Sequence, residues 1–195
     1  PPSRVVVVGL GKQKDFGPEV IRQVMGTTMR RLRNSGIENV ATVLHGAGIG
    51  NLEVEECAQA IAEGSLMGLY TFKHHFGRAQ ENENVLRHLT VVEIDGSKID
   101  TLRKALVRGV VFAEATILAR DMVNEPSNFM TPTRMSEIAI SIADEHGLEV
   151  TVLDRTDMEN LGMGGLLGVA RGSVEIPKFI VLRYYGDREH PDNNL

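Results

Sequence analysis

Residues 100–123 read DTLRKALVRGVVFAEATILARDMV, and this stretch divides the chain. Leu102, Ala105, Leu106, Val110, Ala113 and Ile117 recur at helical spacing through about six turns. Asp100 stands where a side-chain oxygen can cap the first turn. Pro126 must lie beyond the end, because proline has no amide to donate and its ring clashes with the preceding turn. The stretch therefore predicts one long helix with a separate block of sequence on either side.

Towards the N-terminus, Val5-Val6-Val7-Val8 is a continuous β-branched run ending at Gly9. Continuous rather than alternating apolar residues predict a strand buried on both faces, as in parallel sheets. Gly17 and Pro18 mark the start of a helix with Val20, Ile21, Val24, Met25, Thr28 and Leu32 as its inner stripe, and Gly36 ends it. Val40 to Leu44 reads as a second strand. Asn51 is placed to cap a helix carrying Val54, Cys57, Ile61 and Leu69 on one side. Thr90 to Ile94 reads as a third strand.

Beyond the long helix, Thr131 and Pro132 open another helix, with Met135, Ile138, Ala139 and Ile142 facing inward and Gly147 closing it. Leu148 to Leu153 and Lys178 to Tyr184 read as strands, with a short helix near Thr156 to Leu161. Strands alternating with helices predict an α/β fold with a mainly parallel sheet. A βαβαβ unit precedes the long helix, and a second α/β unit starts after it without finishing. Both ends read as cut. Residue 5 is already inside a strand with no initiator methionine before it, and residues 187–195 are polar and turn-like.

Composition narrows the function classes. The chain is 42% hydrophobic and 24% charged, enough apolar sequence for a sizeable core. The net charge is −5 with both signs dispersed, which argues against a nucleic-acid partner. The densest basic cluster, Arg30, Arg31 and Arg33, reads as a solvated helix face. A single cysteine, Cys57, excludes an intrachain disulfide and reads as a small core residue. No apolar run spans a membrane, and no secretory signal is present, so the expected compartment is the cytoplasm.

Two glycine-rich turns could hold a phosphate. Gly9 and Gly11 follow a strand, but a dinucleotide fingerprint needs a third glycine at the position of Lys14. Gly46-Ala47-Gly48-Ile49-Gly50-Asn51 follows a strand and precedes a helix, a geometry that can cradle phosphate through backbone amides. It resembles the ligand loop of macro domains, so a phosphate or ADP-ribose binding module is the alternative reading. The six histidines, His45, His74, His75, His88, His146 and His190, form no metal-ligand pair such as H-E-x-x-H. No G-x-S-x-G surrounds a serine.

The most specific stretch begins at Ala119-Arg120-Asp121-Met122-Val123-Asn124-Glu125-Pro126-Ser127-Asn128 and continues through Met130-Thr131-Pro132-Thr133. Leu161-Gly162-Met163-Gly164-Gly165-Leu166-Leu167-Gly168 and Val169-Ala170-Arg171-Gly172-Ser173 follow. Then comes Pro177-Lys178-Phe179-Ile180-Val181-Leu182-Arg183-Tyr184. This succession resembles the M17 leucyl (cytosol) aminopeptidases, in which an "ARDLVNEPxNxxTP" segment leaves the interdomain helix, followed by an "LGMGxLLxVxxGS" loop and a "P-x-x-I-x-L-x-Y" strand. Val5 to Lys12 and Leu69-Tyr70-Thr71-Phe72-Lys73 also have counterparts there, so the resemblance covers nearly the whole chain.

The resemblance implies a macro-like N-terminal α/β domain over 1–99, an interdomain helix over 100–125, and the incomplete start of a catalytic domain over 126–195. It implies removal of N-terminal residues from peptides by two divalent metal ions, zinc or manganese, that activate a water and polarise the scissile carbonyl. It also implies hexameric assembly. The family's ligands lie in "VGKGxxFDSGG", a following Asp-containing segment and "NTDAEGR", and none of these occurs in this sequence. The resemblance therefore assigns no catalytic, cofactor-binding or metal residue here, and the chain alone is expected to be inactive. Asn124 is expected to satisfy backbone groups at the helix end.

Overall fold

The computed structural model describes residues 2–48, 52–75, 85–187 and 189–190, which form two compact units, Pro1–Asn124 and Glu125–Leu195. The first contains α1 (Pro18–Asn34), β1 (Asn39–Val43), α2 (Val54–Leu69), β2 (His88–Val92) and α3 (Ile99–Asn124). The second contains α4 (Pro132–His146), β3 (Glu149–Leu153), α5 (Arg155–Asn160), α6 (Gly164–Ala170) and β4 (Phe179–Arg183).

In the first unit β1 and β2 pair in parallel, from Asn39 opposite His88 to Val43 opposite Val92. Exposure alternates along both strands, so Val40, Leu89 and Val91 face the core while Val43 and Val92 face outward. β2 begins two residues before the strand expected at Thr90 to Ile94, and Ile94 is fully exposed. The run Val5 to Val8 is not a strand, and these four valines are exposed. Side-chain character predisposes a segment to extend, but a strand exists only where another backbone completes its hydrogen bonds. Among the described residues none does so for this run.

Two helix starts also differ from expectation. At α2 the N-cap is Glu53, whose amide donates to Glu56 Oε2 at 3.1 Å, while Asn51 lies outside the described residues. At α3 the chain first makes a 3₁₀ turn, Gly96–Lys98. Asp95 caps that turn by accepting from Ser97 N at 3.0 Å and Ser97 Oγ at 2.6 Å, and Asp100 is already inside α3.

The core is organised around α2. Cys57, Ala58, Ala60, Ile61, Ala62, Glu63, Gly64 and Ser65 are all buried, so this helix is covered on nearly every side. α1 presents Ile21, Met25, Gly26 and Met29 to it, and α3 presents Leu102, Ala105, Gly109 and Ala113. The approach is closer than ordinary side chains allow. A Cβ on Gly64 would lie 2.5 Å from Arg22 O and 2.6 Å from Arg22 Cα, and one on Gly109 would lie 2.7 Å from Gln59 O. Gly68 faces the backbone of Gly26 in the same way. Arg22 and Gly26 meet Gly64 and Gly68 in that order, and Gly109 and Arg120 meet Gln59 and Met67 in that order, so all three helices run in the same direction. Of the three, α2 is the crossover between the parallel strands β1 and β2.

A buried carboxylate ties the first two helices. Glu63 accepts from Arg22 Nε at 2.5 Å and from Gln59 Nε2 at 2.7 Å. Its burial is tolerable because both oxygens are paired. The end of α2 carries no cation of its own, and its neighbours supply two. Arg33 of α1 donates to Leu69 O at 3.0 Å, and Arg120 of α3 to Met67 O at 3.4 Å. Both meet carbonyls that the helix leaves open, at its negative end.

The second unit is more open. Thr131 caps α4 by accepting from Arg134 N at 3.2 Å, Pro132 occupies its first turn, and Gly147 closes it in the left-handed region at φ 66°. These are the expected signals. The inward face is Ser136, Ala139 and Ala143, while Met135 is exposed, a rotation of the stripe by one residue. β3 and β4 pair antiparallel, from Glu149 opposite Arg183 to Leu153 opposite Phe179, so among the described residues the parallel arrangement holds in the first unit and not in the second. The glycine-rich stretch expected as a loop folds as α6 over Gly164–Ala170. Its Leu-Leu and Val-Ala pairs outweigh a glycine cost of roughly 1 kcal/mol each.

Glycine-to-alanine changes should therefore have opposite signs in the two units. Gly64→Ala forces backbone apart from backbone and should destabilise by about 2 kcal/mol despite a gain in helix propensity. Gly168→Ala meets nothing within 4 Å and should stabilise α6 by roughly 0.5–1 kcal/mol. Urea titrations followed by circular dichroism would read both shifts.

Candidate functional site

The first glycine turn holds no ligand geometry. Gly9 and Gly11 are open on all sides, a 3₁₀ turn follows at Gln13–Asp15, and α1 begins only at Pro18. The second turn is built for packing. Gly46 has φ +102°, and a Cβ there would lie 3.0 Å from Cys57 Sγ, 3.0 Å from Phe16 Cε1 and 3.1 Å from Ile21 Cδ1. Ala47 bridges Leu52, and the Gly48 amide donates to Leu52 O at 3.4 Å, so that amide is engaged within the turn. Residues 49–51 lie outside the described residues. The α2 end of the turn carries Glu53, Glu55 and Glu56, which oppose an anion where a phosphate would sit. The described part of this turn counts against a phosphate cradle.

Cys57 lies beneath the turn. Burial, with the charges of Glu56 and Glu53, pushes its thiol up to about 11, so it is no nucleophile at neutral pH.

The histidines do not gather at one site, although the neighbouring His74 and His75 rings meet edge-on at 6.3 Å between centroids. His74 stacks on Phe72 at 5.2 Å between centroids, His88 is exposed on β2, His146 sits in the last turn of α4, and His190 meets Asp187 at 2.9 Å. His45 is the exception in kind. Its Nδ1 lies 3.2 Å from Val43 O, while Nε2 is buried without a partner among the described residues. The carbonyl requires a proton on Nδ1, which leaves Nε2 as a bare acceptor in the neutral ring. Burial lowers its pKa, against the opposing pull of the Val43 carbonyl. Among the described residues no three His, Cys, Asp or Glu side chains converge as a metal would require.

The motif residues of the long helix do converge, on a residue outside that motif. Tyr70, the first residue after α2, donates its hydroxyl proton to Asp121 Oδ1 at 2.7 Å. The same oxygen accepts from Asn124 Nδ2 at 3.0 Å, and the Arg120 guanidinium lies over the ring at 5.7 Å from its centroid. Asn124 thus serves the Tyr70 hydroxyl and not the backbone groups expected. Burial first, and the bond donated to Asp121 next, hold the phenol above its ordinary value, so it remains a donor at neutral pH. Tyr70 and Asp121 are 51 positions apart, a separation at which no local pattern can pair them.

In the second unit Pro132, Leu166, Val169, Ala170, Pro177 and Lys178 border an open groove of about 500 Å³. Beside it, Asp154 caps α5 through Thr156 N at 2.8 Å and Asp157 N at 3.2 Å. Glu149 on β3 receives Arg183 at 3.1 Å and the Tyr185 hydroxyl at 2.7 Å. These side chains make local structure, with no nucleophile and base in partnership.

His45 makes the stability of the first unit depend on pH. The folded ring takes a proton less readily than the unfolded one, whose value is 6.5. Its contribution is complete above that pH and is lost as pH falls below it towards the folded value. A proton NMR titration should place His45 below 6.5, and His45→Gln should flatten the acid side of the stability profile below that pH.

Residues 1–75 match the model of the cytosol aminopeptidase family N-terminal domain, and residues 117–195 match that of the family's catalytic domain. A probable cytosol aminopeptidase of Alkaliphilus metalliredigens (strain QYMF) is 40% identical over 97% of this chain. One of Clostridium perfringens (strain 13 / Type A) is 30% identical over 98%. The chain spans 38% of the length of each. Among solved structures, the bottromycin maturation enzyme BotP superposes with a TM-score of 0.77 at 28% identity, covering 91% of this chain and 36% of that one. A mutant of tomato leucine aminopeptidase gives 0.76 at 25%, covering 90% and 34%. With the family's two domain matches in order along one polypeptide, and relatives up to 40% identical over nearly all of it, the chain belongs to the cytosol aminopeptidase family.

Proposed function

We propose that this chain is part of a metal-dependent aminopeptidase that removes N-terminal residues, leucine among them, from peptides, and that it does not assemble the bimetal site by itself. The observation that carries this reading is the succession of the two family matches, 1–75 and 117–195, within relatives of which the chain spans 38%. A solved structure of BotP is in complex with Mn, which supports manganese, or zinc with similar ligands, as the family's working ion. The described residues do not fit such a site, because no three ligand-type side chains converge. On this reading the ligands lie in the family's "VGKGxxFDSGG" and "NTDAEGR" stretches, which do not occur in this sequence.

We assign 1–99 to the N-terminal domain, 100–125 to the connecting helix and 126–195 to the beginning of the catalytic domain. The break between compact units at Asn124 and Glu125 supports the second junction. The enzyme is proposed to be cytoplasmic, in accord with its relatives' description as cytosol aminopeptidases, and to assemble as a homo-oligomer, hexameric when complete, on the family resemblance alone. Among the described residues no helix is long and apolar enough to cross a membrane.

The isolated chain should release no p-nitroaniline from leucine-p-nitroanilide above a no-protein blank, with manganese or zinc added. The natural polypeptide containing it should do so and should lose the activity to a chelator. Turnover by the isolated chain would overturn the claim about the bimetal site. A metal-replete full polypeptide inert towards every aminoacyl-p-nitroanilide would overturn the activity itself.

A further inference from the structure

We propose that the Tyr70 hydroxyl is a latch that keeps the last turn of α3 helical as far as Asn124. The last fully buried residue of α3 is Ala113, although the helix continues to Asn124. In its final turns the apolar side chains Ile117 and Met122 are only half-buried, less than those that hold the rest. Val123 is 83% exposed, and Ala119, Arg120 and Asn124 are exposed as well. The last turn also carries a carboxylate, Asp121, and no cation, which the negative end of the helix disfavours. Left to itself such a segment frays.

One oxygen opposes this. By donating to Asp121 and accepting from Asn124, the Tyr70 hydroxyl ties together two residues three apart, which face the same side only while the turn is helical. Arg120 completes the attachment by lying over the Tyr70 ring while it donates to Met67 O. Immediately beyond, the backbone changes character. Pro126 O accepts from Phe129 N at 2.8 Å and Met130 N at 2.9 Å, forming a separate turn before the Thr131 cap. The helix is fixed on one side of Glu125 and a new hydrogen-bond pattern starts on the other.

The test is amide hydrogen exchange, read by mass spectrometry on the whole chain. Tyr70→Phe keeps the ring under Arg120 and removes only the bridging oxygen. Peptides spanning 119–125 should exchange roughly tenfold faster, the size expected for losing a hydrogen bond to a charged group. Peptides spanning the α2 core, 57–65, should be unchanged. Asn124→Ala, a surface change, should give a smaller rise in the same segment, and Asp121→Asn, which keeps an acceptor oxygen, should retain most of the protection. Unchanged exchange at 119–125 in Tyr70→Phe would overturn the latch. So would an equal rise in the α2 core, since the hydroxyl would then be a general stabiliser.

Discussion

The first unit depends on how closely α1 and α3 approach α2. Gly64 lies against the backbone of Arg22, Gly68 against that of Gly26, and Gly109 against that of Gln59. At that separation dispersion contacts form between main chains and not only between side-chain tips. The small residues Ala58, Ala60 and Ala62 are buried along the same helix. The helix is thus surrounded by neighbours close enough to serve its polar needs as well. Arg22 reaches Glu63, and Arg33 and Arg120 reach the carbonyls at its end. Tyr70, just past that end, is positioned to meet Asp121 and Asn124.

The second unit has no such centre among its described residues. It buries Ser136, Ala139, Ala143 and Met158, and leaves Val169, Val174 and Ile176 exposed. Gly164, Gly165 and Gly168 meet no neighbour. Its stability rests more on local devices: the Thr131 cap, the left-handed Gly147, the Asp154 capping box and a short antiparallel ladder. The same residue type therefore has two meanings in one chain. In the first unit glycine is a condition of packing, and in α6 it is a local weakness of the helix.

Elements whose ends depend on near neighbours in sequence were legible. Gly17-Pro18 opens α1, Thr131-Pro132 opens α4 and Gly147 ends it, because caps and fixed dihedral angles act within a few residues. Where several residues compete for a cap, the geometry selected a different one, Glu53 before α2 and Asp95 ahead of α3. Val5 to Val8 has every intrinsic preference for a strand, yet nothing in the described residues pairs with it. The candidate phosphate turn was legible as a turn. That Gly46 is required by the closeness of Cys57, Phe16 and Ile21 was not.

By itself the sequence determined the alternation of strands and helices, the long helix that divides the chain, and the motif succession after Ala119 that carries the family likeness. These depend on composition, periodicity and short-range spacing, which a linear text contains in full. Only the tertiary structure decided what the motif does. Arg120, Asp121 and Asn124 act on Tyr70, fifty or more residues earlier, because two helices running in the same direction bring the end of one beside the end of the other. A hydrogen bond depends on distance in space, and that distance is set by glycines on helix faces whose meeting no local pattern records.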